Sequence, residues 1–146
     1  MPLVSIITPI YNAAPWLRET LDSVRAQTLT DWEQIMVDDG SSDDSVAIAE
    51  AAALQDPRFR LIRTLRNMGP SAARNLAIEA ARGRFIAFLD ADDLWLPEKL
   101  APNPAEFLQQ RRLDSIPRRG CRSSRFALVD SCRWNPNPAR TPKRSL

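Results

Sequence analysis

The sequence predicts an α/β fold built on a parallel sheet, and three observations carry that prediction. Short apolar, β-branched runs alternate with segments of helical period. The alternation supplies four strands and three helices before Leu100, and clusters of carboxylates stand where strands end. Strand-helix alternation of this kind implies a parallel sheet with right-handed crossovers and helices on its faces. Ligands of such sheets bind outside the carboxyl ends of the strands, near a switch point, which makes the acidic turns the candidate site.

Leu3 to Thr8 is almost wholly apolar, as suits a strand covered on both faces, and Pro9 is expected to stop its ladder. From Ala14, the residues Trp16, Leu17, Leu21, Val24 and Leu29 recur at near-helical spacing, predicting a helix that ends near Gln27. Trp32 to Val37 reads as the second strand. The turn Asp38-Asp39-Gly40-Ser41-Ser42-Asp43 then leads into an Ala-rich helix over Asp43 to Leu54. Arg58 to Leu65 alternates as a third strand with a more exposed face. Asn67-Met68-Gly69-Pro70-Ser71 opens a helix over Ala72 to Ala81, which Gly83 ends. Arg84 to Leu89 is the fourth strand, running straight into Asp90-Ala91-Asp92-Asp93.

Composition divides the chain at the same place. Residues 1–100 carry ten basic against fifteen acidic side chains, net −5, whereas residues 101–146 carry ten against three, net +7. Six of the twelve prolines and both cysteines also fall in that second part. Ala101 to Gln110 offers a weak helical turn, and from Arg111 no apolar period remains. The expectation is a folded domain over 1–100 and a basic Pro/Arg-rich tail over 101–146 that is largely disordered. Such a tail is read as a solvated end rather than as an arm for nucleic acid. No apolar run approaches the roughly 20 residues that span a bilayer, and the first residues lack the regions of a signal peptide. The expected location is therefore the cytoplasm, with or without peripheral contact with a membrane. The chain has no His, and Cys121 and Cys132 form no recognisable zinc or disulfide framework.

Carboxylates packed after an apolar strand repel one another unless a cation or hydrogen-bond donors lie among them. Oxygen ligands of this kind suit Mg²⁺ or Mn²⁺, which commonly bridge a phosphate or diphosphate. Asp38-Asp39-Gly40-Ser41 stands at the end of another strand, where a carboxylate can accept from a base or ribose and Gly40 lets the backbone turn. Taken singly, each cluster reads as a solvated turn with capping residues. No glycine-rich phosphate loop occurs, which argues against a Rossmann oxidoreductase, a kinase or a nucleotidyltransferase. A phospho-receiver domain would need a Lys after a late strand, and only Lys99 and Lys143 exist.

Taken together, the blocks say more. Val4-Ser5-Ile6-Ile7-Thr8-Pro9-Ile10-Tyr11-Asn12, then Leu17 and Leu21 before Gln27-Thr28, then Val37 to Asp43, then Asn67 to Asn75, then Phe88-Leu89-Asp90-Ala91-Asp92-Asp93 resemble, in order, the family 2 glycosyltransferases of the GT-A fold. The resemblance covers Pro2 to about Leu100. It implies a Rossmann-like, nucleotide-sugar-binding half of a glycosyltransferase. Transfer from a nucleoside-diphosphate sugar, a UDP-sugar in the first instance, to an acceptor hydroxyl would proceed with inversion, with Mn²⁺ or Mg²⁺ as cofactor. The alternative is a nucleotide-sugar-binding module without transfer activity.

The resemblance also implies roles. Pro9 and Tyr11 would sit at the end of the first strand, with Tyr11 beside the base. Asp39 would bind the base by accepting from a uracil N–H, and Arg74 would reach the base or phosphates. Asp90 would contact the ribose, and Asp92 would be the direct metal ligand, with Asp93 behind it. The general base of the family lies well downstream, and nothing after Leu100 matches the acceptor region. The sequence thus reads as truncated or frame-shifted there, with neither Asp114 nor Asp130 expected to replace the base.

Overall fold

The computed structural model describes residues 1–100 and the backbone of residues 127–129. In chain order the elements are β1 (Val4–Ile10), α1 (Ala14–Arg25), β2 (Trp32–Asp38), α2 (Ser45–Gln55), β3 (Phe59–Arg63), α3 (Pro70–Ala80), β4 (Phe85–Phe88) and β5 (Ala127–Val129). They form one parallel sheet in the order β3-β2-β1-β4-β5.

The predicted elements before Leu100 are all present, with one instructive difference at Pro9. β1 runs on to Ile10, in register with β2 from Val4↔Trp32 to Ile10↔Asp38. Leu89 N–H donates to Ile7 C=O on the β4 side, and Asp39 N–H donates to Ile10 C=O on the β2 side. Backbone groups alternate along a strand, so the N–H that Pro9 lacks would face β4. Pairing with β4 ends at Ile7↔Phe88, so no ladder bond is lost and the proline is accommodated inside the strand.

A second difference lies in the basic tail. Ala127–Val129, where the sequence predicts no strand, pairs parallel to β4 with Phe85 opposite Ala127. Three residues are too few to display a period. The turn expected over Ala101 to Gln110 and the disorder expected for the tail lie outside the described residues, as do Cys121, Cys132, Asp114 and Asp130.

The two sheet faces carry different layers. Val4, Ile6, Ile10, Met36 and Ala87 meet Leu17, Leu21 and Val24 of α1 and Ala49 and Ala52 of α2. Ile7, Ile35, Val37 and Ile86 meet Ala73 and Ala77 of α3. Both faces of β1 and β2 are therefore dry, which is why these strands read as near-continuous apolar runs. Each fully buried Leu or Ile contributes about 1.5–3 kcal/mol of transfer free energy.

Glu33 carries a charge into this interior. Glu33, on the α3 side of the sheet, accepts from Ser5 Oγ at 2.7 Å, Arg82 N–H at 2.7 Å and Arg60 Nη1 at 2.9 Å. Burial pushes its carboxyl up, but these donors together outweigh burial and hold it below the usual carboxylate value.

Candidate functional site

β1 has β2 on one side and β4 on the other; the chain runs outward from β1 to β2 and β3 and then returns to β4 on the far side of β1, and this reversal of strand order opens a cleft at the carboxyl edge. The cleft has a volume of about 330 Å³. All six residues singled out from the sequence line it: Pro9, Tyr11, Asp39, Arg74, Asp90 and Asp92. Residues more than eighty apart in the chain converge because parallel strands deliver their ends to one edge.

The loops around the cleft are tied to each other. Asn12, with φ 48°, accepts from Ser42 N–H at 2.9 Å through its side chain, and its own N–H donates to Ser41 Oγ at 3.0 Å. No side chain adjacent in sequence caps α1. Instead Ala13 N–H donates to Ser45 Oγ at 2.9 Å and Ala14 N–H to Asp43 Oδ2 at 3.0 Å. The turn after β2 thereby supplies the acceptors that the first turn of α1 needs. Burial raises the Asp43 carboxyl, while donors from Ser45 and the Ala14 amide outweigh that and leave it lowered.

Asp39 is almost wholly buried, 2% exposed, and acts on the opposite rim. Its Oδ1 accepts from Met68 N–H at 2.9 Å and its Oδ2 from Gly69 N–H at 2.7 Å, while Thr64 Oγ1, 3.1 Å from Oδ1, gives its one proton to Arg66 C=O at 2.8 Å. A carboxylate offers about four acceptor positions, two on each oxygen, so one remains on Oδ2 beside the Gly69 bond. Gly40 beside it has φ +77°, and a Cβ there would stand 3.1 Å from Asn67 N, so the turn needs glycine for both conformation and space. Asp39 thus holds the loop that starts α3, and α3 in turn carries Arg74.

Arg74 Nη2 donates to Asp90 Oδ1 at 2.6 Å, joining α3 to the end of β4. Asp92 is exposed and makes no hydrogen bond or ion pair with another described residue. Asp93 does not line the cleft; its N–H donates to Asp90 C=O at 3.1 Å and closes the acidic turn. Among the described residues no group of three or more His, Cys, Asp or Glu could enclose a metal. An open pair, Asp90 and Asp92, suits a hard divalent cation whose remaining ligands are waters and phosphate oxygens. The donor set therefore fits Mg²⁺ or Mn²⁺ held jointly with a diphosphate.

Asn12, Trp16, Asn67 and Pro70 also line the cleft and had no assigned role in the sequence. The signal for Trp16 was faint: at helical spacing it reads as core, yet it is 37% exposed at the mouth. Asn12 and Asn67 lie in turns, where Asn is expected for conformational reasons alone. No helix among the described residues is long and apolar enough to cross a membrane.

Comparison with known proteins gives a consistent picture. The family model described as glycosyl transferase family 2 matches residues 5–143. That match continues past Leu100, where the likeness read from the motifs ends. Uncharacterized glycosyltransferase EpsJ of Bacillus subtilis strain 168 is 45% identical over 121 residues, covering 83% of this chain and 34% of that protein. S. aureus TarS 1-349 in complex with UDP-GlcNAc has a TM-score of 0.67 at 31% identity, covering 77% of this chain and 32% of that one. The mannosyltransferase PcManGT of Pyrobaculum calidifontis, in complex with GDP-Man and Mn²⁺, has a TM-score of 0.64 at 30% identity, covering 70% of this chain and 33% of that one. The chain spans about a third of the length of each of these proteins.

Proposed function

The chain belongs to glycosyl transferase family 2, and from that premise we propose that its cleft binds a nucleoside-diphosphate sugar, a UDP-sugar, for metal-dependent transfer to an acceptor hydroxyl with inversion. The observation that carries this reading is the convergence of Tyr11, Asp39, Arg74, Asp90 and Asp92 on one cleft at the sheet's carboxyl edge. The UDP-GlcNAc complex of TarS supports uridine as the base, and the Mn²⁺ in the mannosyltransferase complex supports the metal.

In this reading Tyr11, exposed at the end of β1, lies beside the base, and the remaining acceptor position of Asp39 Oδ2 takes the uracil N–H. Arg74 exchanges Asp90 for a phosphate oxygen, and Asp90 turns to the ribose. Asp92, with Asp90 beside it, holds the divalent cation. When bound, that cation offsets charge on the departing nucleoside diphosphate. Inversion requires the acceptor hydroxyl to attack from the face opposite the leaving group and to lose its proton to a carboxylate. The three carboxylates lining the cleft, Asp39, Asp90 and Asp92, all serve the donor here. The base is thus assigned to a group outside the described residues or on another chain.

That assignment keeps a second reading open on a specific observation: a cleft whose carboxylates are all committed to the donor can bind a nucleotide sugar without transferring it. Calorimetric titration with UDP and GDP, in Mn²⁺ and in EDTA, tests the proposal. The expected result is UDP binding that is tighter in Mn²⁺ than in EDTA, with the metal-dependent part lost in Asp92→Asn. Equal affinity with and without metal would overturn the metal role, and preference for GDP would overturn the uridine assignment. Transfer to an acceptor sugar by the 146-residue chain separates the two readings.

A further inference from the structure

α1 (Ala14–Arg25) and the residues just after it carry a row of polar side chains, one of them inside the helix's buried stripe. Thr20 is fully buried, in the stripe that contains Leu17, Leu21 and Val24. Its hydroxyl lies 2.9 Å from Ala91 C=O and 3.3 Å from Trp16 C=O. A hydroxyl has one proton to give, and the shorter contact takes it. One turn on, Ser23 Oγ donates to Thr20 C=O at 2.7 Å and accepts from Trp95 N–H at 3.2 Å. Gln27, 5% exposed, donates through Nε2 to Leu96 C=O at 2.7 Å and accepts through Oε1 from Leu100 N–H at 2.9 Å. Thr28 N–H adds a bond to Pro97 C=O at 2.8 Å.

These contacts share one target. Each reaches the backbone of the segment that follows β4, and the first reaches Ala91, the residue between Asp90 and Asp92. That segment has no regular secondary structure to satisfy its backbone, and it is pinned further by Trp95 and Leu100, both buried in the core under α1. Valine would fill the place of Thr20, and leucine about that of Gln27, without needing partners, so the polar choice is made for the bonds and not for packing.

We propose that Thr20, Ser23 and Gln27 are positioning residues: a polar rail running along α1 and just past its end that fixes the Asp90–Asp92 turn and so sets the affinity for the divalent cation. The inference rests on the donor-site reading above for its metal and on the hydrogen bonds alone for the tether. Groups that orient metal ligands typically change metal affinity by about 10- to 100-fold when removed. The same mechanism here acts through the carbonyl of Ala91, which Thr20 keeps from rotating and carrying Asp92 with it.

Thr20→Val keeps shape and removes the proton donor, and Thr20→Ser restores the hydroxyl. Mn²⁺ affinity in the presence of UDP, followed by the paramagnetic resonance of free Mn²⁺, is expected to weaken about tenfold in Thr20→Val and to recover in Thr20→Ser. Amide exchange at Asp93, whose N–H closes the acidic turn, should quicken in the valine variant, while UDP binding in EDTA stays unchanged. Gln27→Leu provides a second variant should Thr20→Val fold poorly, with faster exchange expected at Leu100. Faster exchange with unaltered Mn²⁺ affinity would reduce the rail to a structural feature and overturn its positioning role. Unchanged exchange in both variants would overturn the tether. Failure of the unaltered chain to bind Mn²⁺ with UDP would instead overturn the functional reading, with the exchange measurements still deciding the tether.

Discussion

Arg74 and Asp90 are held on each other at 2.6 Å across the cleft, so a phosphate drawn to Arg74 must first displace a carboxylate. Both side chains are about one-third or more exposed, 33% and 41%, so solvent screens the pair and its release costs little. Asp90→Asn is expected to strengthen UDP binding in EDTA by on the order of two- to fivefold, while weakening the Mn²⁺-dependent part. A loss of binding in both conditions would show that the carboxylate's contact with the ribose outweighs the release of Arg74. Far from the cleft, Gly83 is determined by space: a Cβ there would stand 2.5 Å from Ser5 N and 2.8 Å from Val4 C, both backbone atoms that cannot turn aside. Gly83→Ala should therefore cost about 1–3 kcal/mol in denaturant unfolding. An unchanged midpoint would mean that β1 and the 82–84 turn shift apart freely.

At the scale of elements, the helices begin where other parts of the chain supply acceptors. α1 has no cap of its own and borrows Asp43 from the turn preceding α2 and Ser45 from the first position of α2, so the two helix starts on the rim form as a unit. Removing the first acceptor in Asp43→Ala should destabilise the fold by about 1 kcal/mol and loosen both helix starts. Amide exchange at Ala14 reads the effect directly. Protection at Ala14 equal to that of the unaltered chain would show that water replaces the carboxylate without loss. α3 depends in the same way on Asp39, which holds the Met68 and Gly69 amides just before Pro70.

For the molecule as a whole, three carboxylates respond to acid together, and two of them, Glu33 and Asp43, tie distant segments. The Asp56 carboxyl is lowered first by the Arg58 side chain, and those of Glu33 and Asp43 by donors that outweigh burial. A carboxylate whose folded value lies below its unfolded value stabilises fully above the latter, near pH 4, and loses that contribution as pH falls through the folded value. Stability should thus be flat from neutral pH to about 5 and decline below about 4. Glu33→Gln is expected to lower the melting temperature at pH 7 and to shrink its difference from pH 3. An acid limb as steep as in the unaltered chain would show that Glu33 is not among the groups responsible.

Much of this was legible in the sequence, because a parallel sheet covered on both faces writes itself as apolar runs at regular intervals. The strands before Leu100, the helices between them and the acidic turns at strand ends follow from period and composition alone. So does the membership of Asp39, Asp90 and Asp92 in one edge, since parallel strands can only deliver their ends to the same side. What the sequence could not contain is which partner each polar group takes. Asp39 reads as a ligand for a base, and the fold shows both of its oxygens already accepting, from the Met68 and Gly69 amides. Thr20 and Gln27 read as ordinary helix residues, and the fold turns them toward Ala91, Leu96 and Leu100. β5 was invisible because three residues show no period, and Pro9 was misjudged because its missing N–H matters only if a neighbour stands beside it. Periodicity is a local property of the chain, whereas a hydrogen bond between residues seventy apart exists only once the core has brought them together.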